Sequence, residues 1–280
     1  MKIGHGGTLD PMASGVLPVC IGEATKLAPF LLDADKEYEA LVRFGVETDT
    51  LDAEGQVVAR RPVPVLDAEA VEGALAAFRG AIDQVPPMYS ALKRAGRPLY
   101  AYARAGETLE RPPRRVFVHA LDLLGLDPPD GVRLRVRCSK GTYVRSLAAD
   151  LGRAMGHGAH LAALRRTASG PFDLAQAISL QDVDATLTAG ADLSLVSPAD
   201  ALGHLASAAV DAACAAALRT GRRLTWDALG SAPIDVAVRV LDADGDLVAV
   251  VTHGEGGRVR VARVFRAASL PRSEPRPARM

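Results

Sequence analysis

Two stretches of period-two alternation, separated by runs with helical spacing, restrict this chain to a mixed α/β architecture. From 38 to 46 the even positions Tyr38, Ala40, Val42, Phe44 and Val46 alternate with Glu39 and Arg43; from 133 to 138, Leu134, Val136 and Cys138 alternate with Arg133, Arg135 and Arg137. Successive strand side chains point to opposite faces, so each stretch is a half-buried strand. Tyr38 therefore points to the buried side, and the three arginines form a solvated face. Asp67 is placed to cap a helix whose Val71, Leu75 and Phe78 recur along one side and which Gly80 ends. After Gly141 the set Val144, Leu147, Leu151 and Met155 again has helical spacing, so Arg145 falls in the first turn of a helix that directly follows a strand. A side chain at that junction projects beyond the sheet edge.

Beyond 179 the character changes. Residues 179–187 read as one more helix, and 188–198 as a linker rich in small residues. From 204 to 265 an Ala-rich helical piece with Asp211, Cys214 and Leu218 precedes short alternating strands at 236–241, 247–251 and 259–264. The expected division is a domain at 1–180, a linker and helix at 181–203, a small β domain at 204–266 and a disordered Pro- and Arg-rich tail at 267–280. Three cysteines, Cys20, Cys138 and Cys214, lie far apart, which argues against a disulfide framework or a zinc knuckle and for a reducing cytoplasm. His157 and His160, three apart on an expected helix, have no carboxylate or cysteine beside them, so no metal site is expected. No apolar run is long enough to cross a bilayer, and no membrane association is expected.

The chemistry concentrates near the start, in Gly4-His5-Gly6-Gly7-Thr8-Leu9-Asp10-Pro11-Met12-Ala13-Ser14-Gly15-Val16-Leu17. By local chemistry alone this is turn material, since Asp-Pro and Gly-Gly are ordinary turn pairs. As a site it offers one carboxylate, Asp10, in a loop whose glycines permit close backbone approach and whose Pro11 biases Asp10 away from helix. The string resembles the catalytic loop of the TruB family of tRNA pseudouridine synthases. Three further segments resemble that family in the same order. These are Asp35-Lys36-Glu37-Tyr38-Glu39-Ala40 with Arg43-Phe44-Gly45; Gln84-Val85-Pro86-Pro87-Met88-Tyr89-Ser90-Ala91-Leu92-Lys93 with Arg111-Pro112-Pro113-Arg114; and Cys138-Ser139-Lys140-Gly141-Thr142-Tyr143-Val144-Arg145-Ser146-Leu147, continuing to Leu164-Arg165-Arg166-Thr167.

The resemblance implies an isomerase with the pseudouridine synthase fold, a largely antiparallel mixed sheet flanked by helices, and a small PUA-like β domain at the C-terminus. It implies no cofactor. It makes Asp10 the essential carboxylate, acting either as a nucleophile or as the base that removes a sugar proton, with Tyr38 stacking on the target base and Arg145 pairing with Asp10. An adjacent guanidinium favours the charged carboxylate that burial disfavours, and its planar fork suits two-point pairing. His5, Tyr143, Leu164 and Lys140 are the implied substrate contacts. The partner is the T stem-loop of tRNA, bound by a monomer without a guide RNA, and the target is the uridine numbered U55.

With 33 Lys and Arg against 33 Asp and Glu the formal charge is zero, so RNA binding rests on local clusters: Lys93-Arg94-Arg97, Arg111-Arg114-Arg115, Arg165-Arg166 and Arg222-Arg223. Only Met1-Lys2-Ile3 precede the loop string, so the chain is expected to lack the family's usual N-terminal segment. A competing reading follows from that shortening, a tRNA-binding folding assistant with a dead site.

Overall fold

The computed structural model describes residues 1–266; the expected tail at 267–280 lies outside the described residues. The chain forms two compact units, one of Thr8–Leu17 and Leu32–Gly170, the other of Met1–Gly7, Pro18–Leu31 and the chain from Pro171 onward.

The first unit is organised around the strand Lys36–Phe44. It lies between Gly131–Cys138 and Ala159–Ser169, both antiparallel to it, and the sheet continues through Arg114–Asp127 to Gly80–Gln84. The two-residue strand Ser14–Gly15 adds to Ala159–Ser169 in parallel, which makes the sheet mixed but largely antiparallel. The alternation works as the sequence suggested. Leu134, Val136 and Cys138 are buried against Ala40, Val42 and Phe44, while Arg133, Arg135 and Arg137 are exposed. Arg135 and Arg137 lie opposite Glu39 and Glu37, so the outer face carries paired opposite charges.

Helices Ala68–Leu75 and Val144–Ala154 bring Val71, Leu75, Val144, Leu147 and Leu151 into the same apolar cluster. Each such side chain contributes about 1.5–3 kcal/mol on burial. The Asp67 carboxylate accepts from the Ala70 N–H at 2.9 Å as its cap.

Two expected elements differ. The strand beginning near Tyr38 stops at Phe44 rather than running to Val46. Gly45 turns there with φ +81, in a space where a Cβ would lie 2.8 Å from the Arg61 carbonyl, and Val46–Thr48 pairs instead with Val57–Arg60. His157 and His160 do not share a helix. The helix ends at Ala154, the Gly152 carbonyl accepts from the N–H groups of His157 and Gly158 at 3.1 and 2.9 Å, and His160 lies on the strand that follows.

In the second unit, Ile3–His5 pairs antiparallel with Val19–Ile21, reinforced by bonds from Gly6 to Pro18 and from Gly22 to Lys2, both 2.8 Å. Cys20, Leu27 and Leu31 pack with Leu202, Leu247, Val250 and Phe265. A separate sheet runs Ala206–Ala209, Val238–Leu241, Leu247–His253, Val259–Val264. The helix Ala212–Arg219, capped by Asp211, packs with it around Trp226. The strand Ala206–Ala209 escaped the sequence reading because alanine and serine carry little strand signal. Among the described residues, no helix is long and apolar enough to cross a membrane.

Candidate active site

Arg145 occupies the first turn of Val144–Ala154, and that turn is held by the segment before it. The Gln84 side chain accepts from the Tyr143 N–H at 2.8 Å and donates to the Tyr143 carbonyl at 3.1 Å. Ser146 Oγ donates to the Val85 carbonyl at 3.0 Å. The Arg145 side chain, only 5 % exposed, therefore leaves a fixed turn.

Its guanidinium uses both edges. Nε and Nη2 donate to Asp10 Oδ2 and Oδ1 at 2.8 and 3.1 Å, a two-point carboxylate pairing. Nη2 also reaches the Tyr89 carbonyl at 3.0 Å and Nη1 the Thr50 carbonyl at 3.1 Å, while Asp52 Oδ2 lies 3.4 Å from Nη1. The two carboxylates differ in access, the Asp10 side chain being 32 % exposed and that of Asp52 5 %. Asp52 is thus a buried countercharge, and Asp10 is the carboxylate a substrate can reach.

Asp52 is held in turn by Thr50 Oγ1 at 2.6 Å and the Glu54 N–H at 3.1 Å. Its segment is stitched to Ala159–Ser169 by reciprocal 3.0 Å bonds, from Ala53 to Leu161 and from Leu161 to Leu51. Leu51 adopts φ +65, an uncommon conformation for a branched residue, in the turn that delivers Thr50 and Asp52 to the guanidinium. Sequence reading missed Asp52, because nothing in Asp49-Thr50-Leu51-Asp52-Ala53-Glu54 separates it from the neighbouring acids.

The Asp10 loop is anchored at its other end by Arg166. Gly15 has φ +103, and a Cβ on it would sit 2.1 Å from the Arg166 carbonyl, so only glycine allows Ser14–Gly15 to lie against the strand. The Val16 N–H donates to that carbonyl at 2.9 Å. Arg166 Nε donates to the Val16 carbonyl at 2.7 Å and Nη1 to the Thr8 carbonyl at 3.3 Å. At 1 % exposure Arg166 has no access to a phosphate, which corrects its expected place in an RNA-contact cluster; Arg165, its neighbour on the strand, is the exposed one. A signal for this existed. The resemblance implies Leu164 as a substrate contact, and a residue two further along a strand shares its face.

Tyr38 stands opposite Arg166 in register, and Leu164 opposite Ala40, so the three side chains crowd one end of the sheet's buried face. Burial pushes the Tyr38 phenol up to about 12, with the charge and hydrogen bond of Arg166 pulling the other way. Burial likewise raises the Tyr143 phenol, and both tyrosines feel the Asp10 charge. Asp10, Tyr38, Arg145, Tyr143 and Leu164 all belong to the first unit. Lys140 is in that unit too, but exposed and paired with Asp33 at 2.8 Å. His5 is exposed at the end of Ile3–His5 in the other unit, its Nδ1 accepting from the Gly7 N–H at 3.4 Å.

The chain as a whole is matched by known families. The family model for the TruB family pseudouridylate synthase N-terminal domain matches residues 1–144, and that for the tRNA pseudouridylate synthase B C-terminal domain matches 145–202. The chain belongs to the TruB family of pseudouridylate synthases. It is accordingly an enzyme. The sheet of residues 206–264 lies beyond the second match.

A tRNA pseudouridine synthase B of Aromatoleum aromaticum is 57 % identical over 224 residues, 80 % of this chain and 72 % of the relative. Its counterpart in Chromohalobacter salexigens is 50 % identical over 272 residues, 96 % of this chain and 87 % of the relative. Among solved structures, a chain of the Cbf5–Nop10–Gar1 complex superposes with TM-score 0.74 at 29 % identity, covering 95 % of this chain and 77 % of that one.

The expectation that the chain lacks the family's usual N-terminal segment is overturned, since the N-terminal domain match begins at residue 1. Ile3–His5 is paired with Val19–Ile21, so the chain enters and leaves 8–17 through one hairpin.

Proposed function

We propose that this chain converts the T-loop uridine of tRNA, U55, to pseudouridine, with Asp10 as the essential carboxylate. The observation that carries this reading is the two-point pairing of Asp10 with Arg145, with the Asp10 charge felt at the Tyr38 phenol. The reaction breaks the bond between N1 of uracil and C1′ of the sugar, turns the base, joins C5 to C1′ and releases the C5 proton. It needs one well-aimed carboxylate and a water-poor pocket, with no redox step and no transfer to a second molecule. Arg145 supplies the countercharge and fixes both Asp10 oxygens, in the role either of nucleophile or of base at the sugar.

The target is folded into the T-loop and has to be extruded before its atoms are reached. Tyr38 offers the stacking face, worth about 1–3 kcal/mol per base in comparable sites. Its phenol, raised to about 12, stays neutral in ordinary buffers. Leu164 and Tyr143 line the uracil pocket, His5 assists extrusion, and Lys140 reaches the RNA backbone.

Residues 1–180 act as the catalytic domain and 204–266 as a PUA-like RNA-binding domain. Arg94 and Arg97 on the exposed hairpin Lys93–Arg94/Arg97–Pro98, with Arg114 and Arg115, meet phosphates, so affinity falls as salt rises. Recognition is mainly of the T-arm shape. The relatives named tRNA pseudouridine synthase B are 50–57 % identical, against 26 % for a chain of an H/ACA RNP bound to a substrate RNA, which supports action on bare tRNA without a guide. The enzyme works as a cytoplasmic monomer. Tritium release from C5 of uridine-labelled T-arm RNA tests the reading: the protein releases tritium, and Asp10→Asn abolishes release while RNA binding persists. Release that survives in Asp10→Asn removes Asp10 from the chemistry.

A further inference from the structure

Arg166 is the bulkiest of the fully buried side chains, at 1 % exposure. A buried position on an apolar strand face is filled at no desolvation cost by leucine or methionine, so a guanidinium there is explained by what its donors hold. The groups around it belong to two parts of the site. Val16 and Thr8, whose carbonyls it binds at 2.7 and 3.3 Å, flank Asp10 in the loop, and Tyr38 stands directly opposite it across the strand pair, its phenol beside the guanidinium charge. Its own main chain holds the same loop again, through the bond from Val16 and the contact that excludes a side chain at Gly15.

Resting on the assignment of Asp10 and Tyr38 above, we infer that Arg166 is the positioning residue of this active site. By holding the loop on both sides of Asp10 while standing opposite Tyr38, it sets the gap between the carboxylate and the aromatic ring that the extruded uracil enters. Arg145 aims the Asp10 side chain; Arg166 fixes where the loop carrying it stands relative to the ring. The guanidinium also places a positive charge beside the phenol, opposing the effect of burial on its proton. Lysine keeps the charge and the stem but loses the fork, and methionine keeps only the stem.

Arg166→Met and Arg166→Lys test this with excess enzyme in single-turnover tritium release on T-arm RNA, alongside RNA affinity, thermal unfolding and ¹⁹F resonances of 3-fluorotyrosine at position 38. Displacing a reacting group by about an ångström costs about a hundredfold in rate. Arg166→Met is therefore expected folded, about a hundredfold slower, and within about threefold in RNA affinity, the pattern of a group that acts in the transition state and not in binding. Arg166→Lys recovers to within about tenfold of the parent rate. The fluorotyrosine titration moves upward in the methionine variant and less in the lysine variant, which a purely structural role does not produce. If the methionine variant fails to fold, the lysine variant decides: an unchanged rate and titration overturn the inference. If Asp10→Asn is inactive while both Arg166 variants match the parent, the site assignment stands and the inference falls. Full turnover by both Asp10→Asn and Tyr38→Phe overturns both.

Discussion

Two buried arginines bracket the Asp10 loop, and their surroundings are built on opposite plans. Arg145 faces carboxylates: Asp10 at 2.8 and 3.1 Å and Asp52 at 3.4 Å, with the carbonyls of Thr50 and Tyr89 completing its shell. Arg166 binds neutral oxygens, the carbonyls of Thr8 and Val16, and stands across the strand pair from Tyr38. The first region manages charge, because taking the cation away strands a buried anion. The second manages shape, because the carbonyls that cation holds are neutral and belong to the loop main chain. A loop needs both kinds of support when a carboxylate is to be ionised and correctly placed at the same time.

Arg145→Met breaks the charge side most severely. It leaves Asp52 buried without its partner, and is expected to cost about 3–5 kcal/mol in urea unfolding and to abolish tritium release. If it unfolds no more easily than the parent, the division between charge and shape is wrong. Gly15→Ala attacks the shape side. The φ of +103 and the 2.1 Å approach to the Arg166 carbonyl force the loop off the strand, for about 1–3 kcal/mol of stability and about a hundredfold in single-turnover rate. Gln84→Leu loosens the turn that carries Arg145 by orphaning the Tyr143 N–H, while the Tyr143 carbonyl keeps its bond from the Leu147 N–H at 3.1 Å. It should cost about 1–3 kcal/mol with RNA affinity unchanged.

Tyr38→Phe sharpens the comparison through pH. The folded phenol titrates near 12 against the ordinary value of 10. As pH rises past 10 the unfolded chain ionises first, so the stability this group contributes is whole below 10 and is lost between about 10 and 12. The phenylalanine variant lacks that alkaline decline, as paired urea titrations will register. Arg135→Ala, on the outer face of the sheet, is the control, with a change within about 0.5 kcal/mol.

The legibility of these parts follows from how local their causes are. The strand through Arg133–Cys138, the Asp67 cap and the helix carrying Arg145 are set by neighbours a few residues apart, and the sequence displays those spacings directly. The Asp10–Arg145 pair was legible only through the order of motifs, since 135 residues separate the partners. Asp52, Gln84 and Arg166 were not picked out as site residues. Each looks like an ordinary surface residue in its own window, and each is buried by segments distant in sequence. Arg166 was the most misleading, because Arg165 beside it is what a surface arginine looks like. The stop at Phe44 depended on the crowding of Gly45 by Arg61 and Val63, which no alternation pattern contains.

The position of Lys36–Phe44 inside its sheet bears on how the protein is made. That strand leaves the ribosome early, yet both of its neighbours, Gly131–Cys138 and Ala159–Ser169, are translated much later. Asp10 is synthesised well before the strand Ala159–Ser169 on which its loop docks. The growing polypeptide therefore carries an apolar strand and an unset catalytic loop through most of its synthesis, a nascent chain suited to shielding by ribosome-associated chaperones. Activity then waits on the insertion of Ala159–Ser169 beside Lys36–Phe44.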